Sequence, residues 1–217
     1  MEQFYRQCYT PSLMASFTNK QWRVPTIQAG NTHPSGLVAR LLKERQLDQT
    51  DTSVQLPSPA LLDDMPRAVA RIQHALSRKE KIGIFGDYDC DGITGAAQLV
   101  RYCQRHGCEP YVRLPHRIHD GYGLQDHIVD ELLQQGLQLL ITVDTGIVSV
   151  AEIERLQNAD VDVIVTDHHQ PGEQLPPAYA ILHPAVAHNY PLPHPAGAGV
   201  AYQLLRALEQ DDWQEYA

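Results

Sequence analysis

Residues 82–92 read IGIFGDYDCDG, five apolar or small residues that end on Asp87, Asp89 and Asp91 at alternate positions. So short an apolar run, closed by a polar break, predicts a strand buried on both faces. The same figure recurs twice downstream. LLITV at 139–143 runs into Asp144-Thr145-Gly146, and VDVIV at 161–165 runs through Thr166 into Asp167-His168-His169. Further strand-like runs fall at 111–114 and, more weakly, at 179–182. Helical patterns lie between them at about 93–106, 124–135, 149–157 and 198–209. Strands separated by helices of this length require right-handed crossovers, so the expected fold class is α/β, a mainly parallel sheet with helices on both faces.

Upstream, Met65, Val69, Ile72 and Leu76 recur at helical spacing behind Asp63 or Asp64 as N-cap, with Pro66 in the first turn. Residues 1–34 are irregular and read as an extended arm, with a short helix at 35–46 and a loop after it. The expected division is an N-terminal extension over 1–62 and an α/β domain over 63–217. With 43% hydrophobic and 20% charged residues among 217, the composition excludes disordered and fibrous classes. No apolar run approaches the roughly 20 residues of a membrane span, and the first residues carry no secretory pattern, which predicts a cytoplasmic protein without a membrane partner. Cys8, Cys90, Cys103 and Cys108 form no CxxC pair and are expected as reduced thiols.

The net charge of −9 is unevenly spread: residues 66–120 hold 9 basic and 6 acidic side chains, whereas residues 121–217 hold 2 and 14. Arg101, Arg105, Arg113 and Arg117 cluster in the basic stretch, and three of its acids are Asp87, Asp89 and Asp91. Divalent cations on those three would leave the region decidedly positive. On composition alone, a solvated helix face accounts for the basic cluster equally well.

All strand C-termini of an open parallel sheet lie along one edge, and ligands bind beyond it. Topology therefore gathers Asp87, Asp89, Asp91, Asp144, Asp167, His168 and His169. Two carboxylates 4 Å apart repel by about 4 kcal/mol at an effective dielectric near 20. One shared proton relieves one pair, whereas divalent metal relieves them all, and oxygen donors with one or two imidazoles suit Mn²⁺ or Mg²⁺. Taken singly, each aspartate is also explained as a helix N-cap. Gly92-Ile93-Thr94-Gly95 and Gly197-Ala198-Gly199-Val200 open predicted helices, where free amides favour a phosphate or simply make a tight turn. The loop from Pro115 to Gly123 combines Arg117, Tyr122 and two glycines, a composition suited to a backbone phosphate with a stacked base. Cys103, His106 and Cys108 lack a second ligand pair for zinc, and Cys103 falls on the buried face of its helix.

GDYDCDG, VDTG and DHH resemble, in that order, the first three motifs of the DHH phosphoesterase superfamily. The flanking stretches PHRIHDGYGL, DHHQPGEQLPPAYAILHP and GAGVAYQLLRAL are similar to its RecJ branch, bacterial single-stranded-DNA-specific 5′→3′ exonucleases of DNA recombination and repair. The resemblance implies a phosphodiesterase using two Mn²⁺ or Mg²⁺ ions and releasing 5′-mononucleotides. Asp87, Asp89 and Asp91 would occupy its first acidic motif as the metal-holding acids, Asp89 and Asp91 foremost among them as direct ligands. Asp144 would bridge the ions, His168 would ligate the second, Asp167 would orient His168 and His169 would contact the scissile phosphate. Asp89, Asp144, His168 and His169 thus carry the catalysis, while Thr94, Arg113, Arg117, Tyr122, Gly197 and Gly199 hold the DNA backbone.

Single-stranded DNA is the implied partner, with a single-strand-binding protein and a helicase beside it. Members of the branch carry a fourth motif with another ligating aspartate and further domains, and only Asp211 and Asp212 stand so late here. That predicts an N-terminal fragment or truncated relative, with weak or absent activity in isolation. Two other readings stay open: a phosphodiesterase of very short oligonucleotides or cyclic dinucleotides, and a catalytically silent DHH binding module.

Overall fold

The computed structural model describes residues 56–209, so the expected arm at 1–34 and helix at 35–46 lie outside the described residues. The chain divides into two units, Met1–Gln55 and Leu56–Ala217. Residues 56–62, counted above with the extension, go with the second: Leu62 is fully buried and the Pro57 carbonyl accepts from Gln203 and Arg206.

Five strands build the sheet: β1 (Ile82–Gly86), β2 (Tyr111–Arg113), β3 (Leu139–Val143), β4 (Asp162–Thr166) and β5 (Ala180–Leu182). All pairings are parallel and the order is β2-β1-β3-β4-β5. Among the described residues, five α-helices accompany them: α1 (Met65–Arg78), α2 (Cys90–Arg105), α3 (Asp126–Gln134), α4 (Val150–Asn158) and α5 (Gly197–Glu209). The α/β expectation holds, with each strand within about a residue of its expected place.

Side-chain alternation assigns the two faces. Ile82, Ile84, Leu139, Ile141, Val143 and Ile164 pack with α1, α2 and α5 in one core. Phe85, Leu140, Val163 and Val165 pack with α3 and α4 in the other. These strands read as unbroken apolar runs because both faces are covered. Right-handed crossovers dictate the arrangement: β1 leads to β2 on one side through α2, and β3 leads to β4 on the other through α4, so these helices lie on opposite faces. Between β1 and β3 the chain therefore reverses its direction of travel, and a crevice opens at their C-terminal ends.

Helix α2 starts three residues ahead of the expected 93, because the Asp89 carboxylate accepts the amides of Asp91 (2.9 Å) and Gly92 (3.0 Å) and caps it. Asp64 is the N-cap of α1, as expected, but its side chain makes no capping hydrogen bond. Asp64 accepts the Ile181 amide at 2.8 Å, pinning edge strand β5 to the start of α1, while Asp63 pairs with His188.

Gly92 lets the first turn of α2 lie directly on Asp87: a Cβ there would stand 2.5 Å from both the Asp87 nitrogen and its carbonyl oxygen. Backbone cannot yield as a flexible side chain does. Gly92→Ala is expected to destabilise the chain by about 2–3 kcal/mol, seen as a lower urea midpoint at unchanged m-value.

Candidate metal centre

Gly86, Val143, Thr166 and Leu182 lie in register across four strands. The residues that follow them, Asp87, Asp144, Asp167 and His183, therefore form one row along the crevice. Three amides of this row extend the ladder, Asp87 to Val143 O (3.1 Å), Asp144 to Thr166 O (2.9 Å) and Asp167 to Leu182 O (3.2 Å). All four are nearly withdrawn from water, at 3%, 1%, 1% and 1% exposure. Three buried acids and a buried imidazole in one row are unfavourable unless each finds a partner.

Asp167 finds all of its partners. Its Oδ1 accepts the amides of His168 (2.7 Å) and His169 (3.1 Å) and faces His169 Nδ1 at 2.7 Å, while Oδ2 accepts the Ile147 amide at 3.0 Å. Asp87 and Asp144 do not: each has a buried Oδ1 without a hydrogen bond. Burial, aided by Asp91, pushes the Asp144 carboxyl up to about 8. Burial, aided by Asp89, raises Asp87 as well. Asp144 also adopts a left-handed conformation, φ 61°, a strained state that persists where surrounding structure imposes it.

Two ligand groups share Asp144. Asp87, Asp89 and Asp144 bring carboxylate oxygens within 4.8 Å of one another, and Asp144, His168 and His169 do the same with an oxygen and two ring nitrogens. His168 Nε2 lies 3.1 Å from Asp144 Oδ1 and 3.6 Å from Asp91 Oδ2, and forms a hydrogen bond with neither. Two buried carboxylate oxygens without hydrogen bonds, on Asp87 and Asp144, together with an imidazole nitrogen close to Asp144, are what a divalent cation satisfies, and this oxygen-rich donor set fits Mn²⁺ or Mg²⁺.

Several expected residues stand elsewhere or act differently. Asp91 commits both oxygens to the N-terminus of α5, accepting the amides of Gly197 (2.6 Å) and Ala198 (2.7 Å). The anion at that helix end is thus the chain's own carboxylate. A Cβ on Gly197 would collide with the Asp144 carboxylate, and one on Gly199 would meet Pro195. Glycine at 197 is what allows α5 to close on Asp144. Arg113 is engaged by Glu131 (2.9 Å), Asp120 (3.0 Å) and the Leu114 carbonyl (2.5 Å), and Thr94 donates to the Cys90 carbonyl at 2.7 Å. Asp167, expected to orient His168, does accept its amide, but the imidazole ring it grips is that of His169. Cys103 is buried and its thiol is pushed up to about 12, chiefly by burial, so it is a core residue.

Beside the acids stands a small aromatic group. The Arg117 guanidinium lies 4.7 Å over the Tyr88 ring, and Tyr122 meets Tyr88 and His169 edge-on at 6.3 Å and 5.8 Å. Burial disfavours a charge on His169, but Asp167, Asp144 and Asp87 outweigh it and raise the imidazole above its ordinary value. Its Nε2 makes no hydrogen bond among the described residues. His183 went unread in the sequence. Its signal was present, since YAILHP places a polar residue just past a strand end, as the three aspartate motifs do.

A family model described as the DHH family, N-terminal domain, matches residues 81–217. The chain belongs to the DHH family. Among curated relatives, the single-stranded-DNA-specific exonuclease RecJ of Bacillus subtilis (strain 168) is 37% identical over 185 residues, covering 81% of this chain and 24% of that protein. The RecJ of Thermus thermophilus is 42% identical over 149 residues, covering 69% and 22%. The chain thus spans about a quarter of the length of the RecJ proteins it matches. Among solved structures, exonuclease RecJ bound to manganese superposes with a TM-score of 0.65 at 41% identity, covering 71% of this chain and 38% of that one. RecJ of Thermus thermophilus in complex with Mn²⁺ superposes at 0.63 with 35% identity, covering 78% and 24%. Among the described residues, no helix is long and apolar enough to cross a membrane.

The row of acids has a pH signature. Asp144, Asp87 and His169 all hold protons more tightly when folded, so the stability they contribute is complete at acid pH and is lost as pH rises. In chelator, the unfolding free energy is expected to fall between about pH 4 and pH 8, by at most about 1.4 kcal/mol per pH unit per group, and the melting temperature with it. Asp144→Asn should flatten the slope. Saturating Mn²⁺, which competes with those protons, should cancel it; differential scanning calorimetry at several pH values reads all three.

Proposed function

We propose that this chain is the metal-binding catalytic part of a single-stranded-DNA-specific 5′→3′ exonuclease. The observation that carries the reading is Asp144, buried with an unpartnered oxygen between two ligand groups at the switch point of the sheet. Support from relatives comes from the RecJ proteins, which are single-stranded-DNA-specific exonucleases, and from the manganese held by two solved ones.

Asp87 and Asp89 would hold one cation with Asp144, and His168 would hold the other with Asp144, the second oxygen-bearing neighbour being Asp91. When bound, the ions supply charge that neutralises these carboxylates, stabilises the negative charge growing on a phosphate and makes water more acidic. The chain's own residues do the positioning. Asp167 fixes His169 through Nδ1 and leaves Nε2 for a phosphate oxygen; with the raised pKa, the ring is a proton-bearing donor toward neutral pH. Arg117, held over Tyr88, offers a cation to a neighbouring backbone phosphate, and Tyr122 offers a protonated hydroxyl, since burial and nearby carboxylates raise its phenol. Contacts of this kind read backbone and stacking, so cleavage is expected to be indifferent to sequence.

On this reading the chain works in the cytoplasm, where Cys90, Cys103 and Cys108 stay as thiols, beside a single-strand-binding protein and a helicase. The test is Mn²⁺-dependent release of mononucleotides from 5′-labelled single strands, with Asp144→Ala as control. Product from long strands, reduced about 100-fold or more in the variant, is the expected result. Equal release by the variant rejects the metal mechanism. Release confined to very short oligonucleotides assigns a small-nucleotide phosphodiesterase, and binding without product assigns a silent binding module.

A further inference from the structure

We infer that His183 is a positioning residue of the metal centre, locking the His168–His169 segment in place by a hydrogen bond to the His169 carbonyl. The inference rests on the metal-centre reading above and concerns a side chain that touches neither cation nor phosphate. His183 is the member of the buried row supplied by β5, in register beside Asp167.

Its tautomer follows from its neighbours. The Ala185 amide reaches His183 Nδ1 at 3.1 Å, and an amide can only donate, so Nδ1 carries no proton. The ring is then neutral with its proton on Nε2, and Nε2 donates to the His169 carbonyl at 2.8 Å. Both nitrogens are used, so the ring has one orientation. His169 is in consequence gripped at its amide and Nδ1 by Asp167 and at its carbonyl by His183. Every polar group of His169 except Nε2 is tied down. Asp167 alone grips the segment from the β4 side; His183 closes the grip from β5. Loss of the donor would strand a partly buried carbonyl and release the backbone that carries His168, whose Nε2 must face Asp144. Groups that orient ligands in this way typically govern 10–100-fold in metal affinity.

The experiment uses the full 217-residue chain and measures Mn²⁺ affinity from the electron paramagnetic resonance of free Mn²⁺. His183→Leu removes the donor, and His183→Gln returns an amide N–H at similar reach. His183→Leu is expected to stay folded by circular dichroism, bind Mn²⁺ about 10–100-fold more weakly, and shift the His169 ring signals in ¹⁵N-histidine spectra. His183→Gln should bind within a few-fold of the parent. Parent-like affinity in His183→Leu would overturn the inference, as would a folded His183→Gln that binds as poorly as a site without a donor. If His183→Leu fails to fold, His183→Gln still decides, since tight binding there supports the donor role and weak binding refutes it. Absence of Mn²⁺ uptake by the parent chain would strike at the metal-centre reading itself.

Discussion

Asp144 holds a carboxylate almost out of water, with one oxygen unpaired, in a left-handed turn, among four other carboxylates. None of those features is favourable alone. Two unit charges at 4 Å cost about 4 kcal/mol even at an effective dielectric near 20, and desolvation adds to it. The protein tolerates this by letting Asp144 keep a proton in the absence of cations, which its upward shift to about 8 expresses. What else surrounds the residue is arranged to keep it there: β3 delivers it to the switch point, and Gly197 lets a helix end approach it.

Helix α5 is the second half of that arrangement. Asp91 begins at the first turn of α2 and binds the first amides of α5 more than a hundred residues later, so one carboxylate fastens two helix ends over the crevice. The favourable field of a helix N-terminus is taken up by an internal anion. Because Asp91 also stands 3.6 Å from His168, fold and centre share the same side chain. A change at Asp91 acts on both, and the two effects separate only by comparing stability with metal uptake.

Much of this was legible in sequence, and the boundary has a physical cause. Strand ends could be read because burial on both faces leaves a run such as IGIFG or LLITV with one kind of residue, and the break after it marks the edge. Parallel topology alone then placed Asp87, Asp144 and Asp167 together. Illegible were the pairings made across long sequence separations. Arg113 looks like a free cation until Glu131 and Asp120 are found around it, and Gly197 looks like an anion site until Asp91 is found in it. The choice by Asp167 of the His169 ring depends on a backbone turn of two residues, which residue type alone does not set.

On the proposed function, an acidic chain must bind a polyanion, and it then needs its charge in the right place rather than in the right amount. Residues 121–217, with 2 basic and 14 acidic side chains, are more negative than the chain as a whole at −9, yet some of those acids are engaged by local partners, as Asp126 and Asp130 are by Arg155 and Glu131 is by Arg113. At the crevice Asp87 and Asp144 keep unpaired oxygens, and two divalent cations would bring four positive charges to Asp87, Asp89, Asp91 and Asp144. With Arg117 on one flank and a His169 that favours its proton on the other, the potential at that point would turn from repelling a phosphate to attracting one. On the proposed function, metal therefore decides substrate access as well as chemistry.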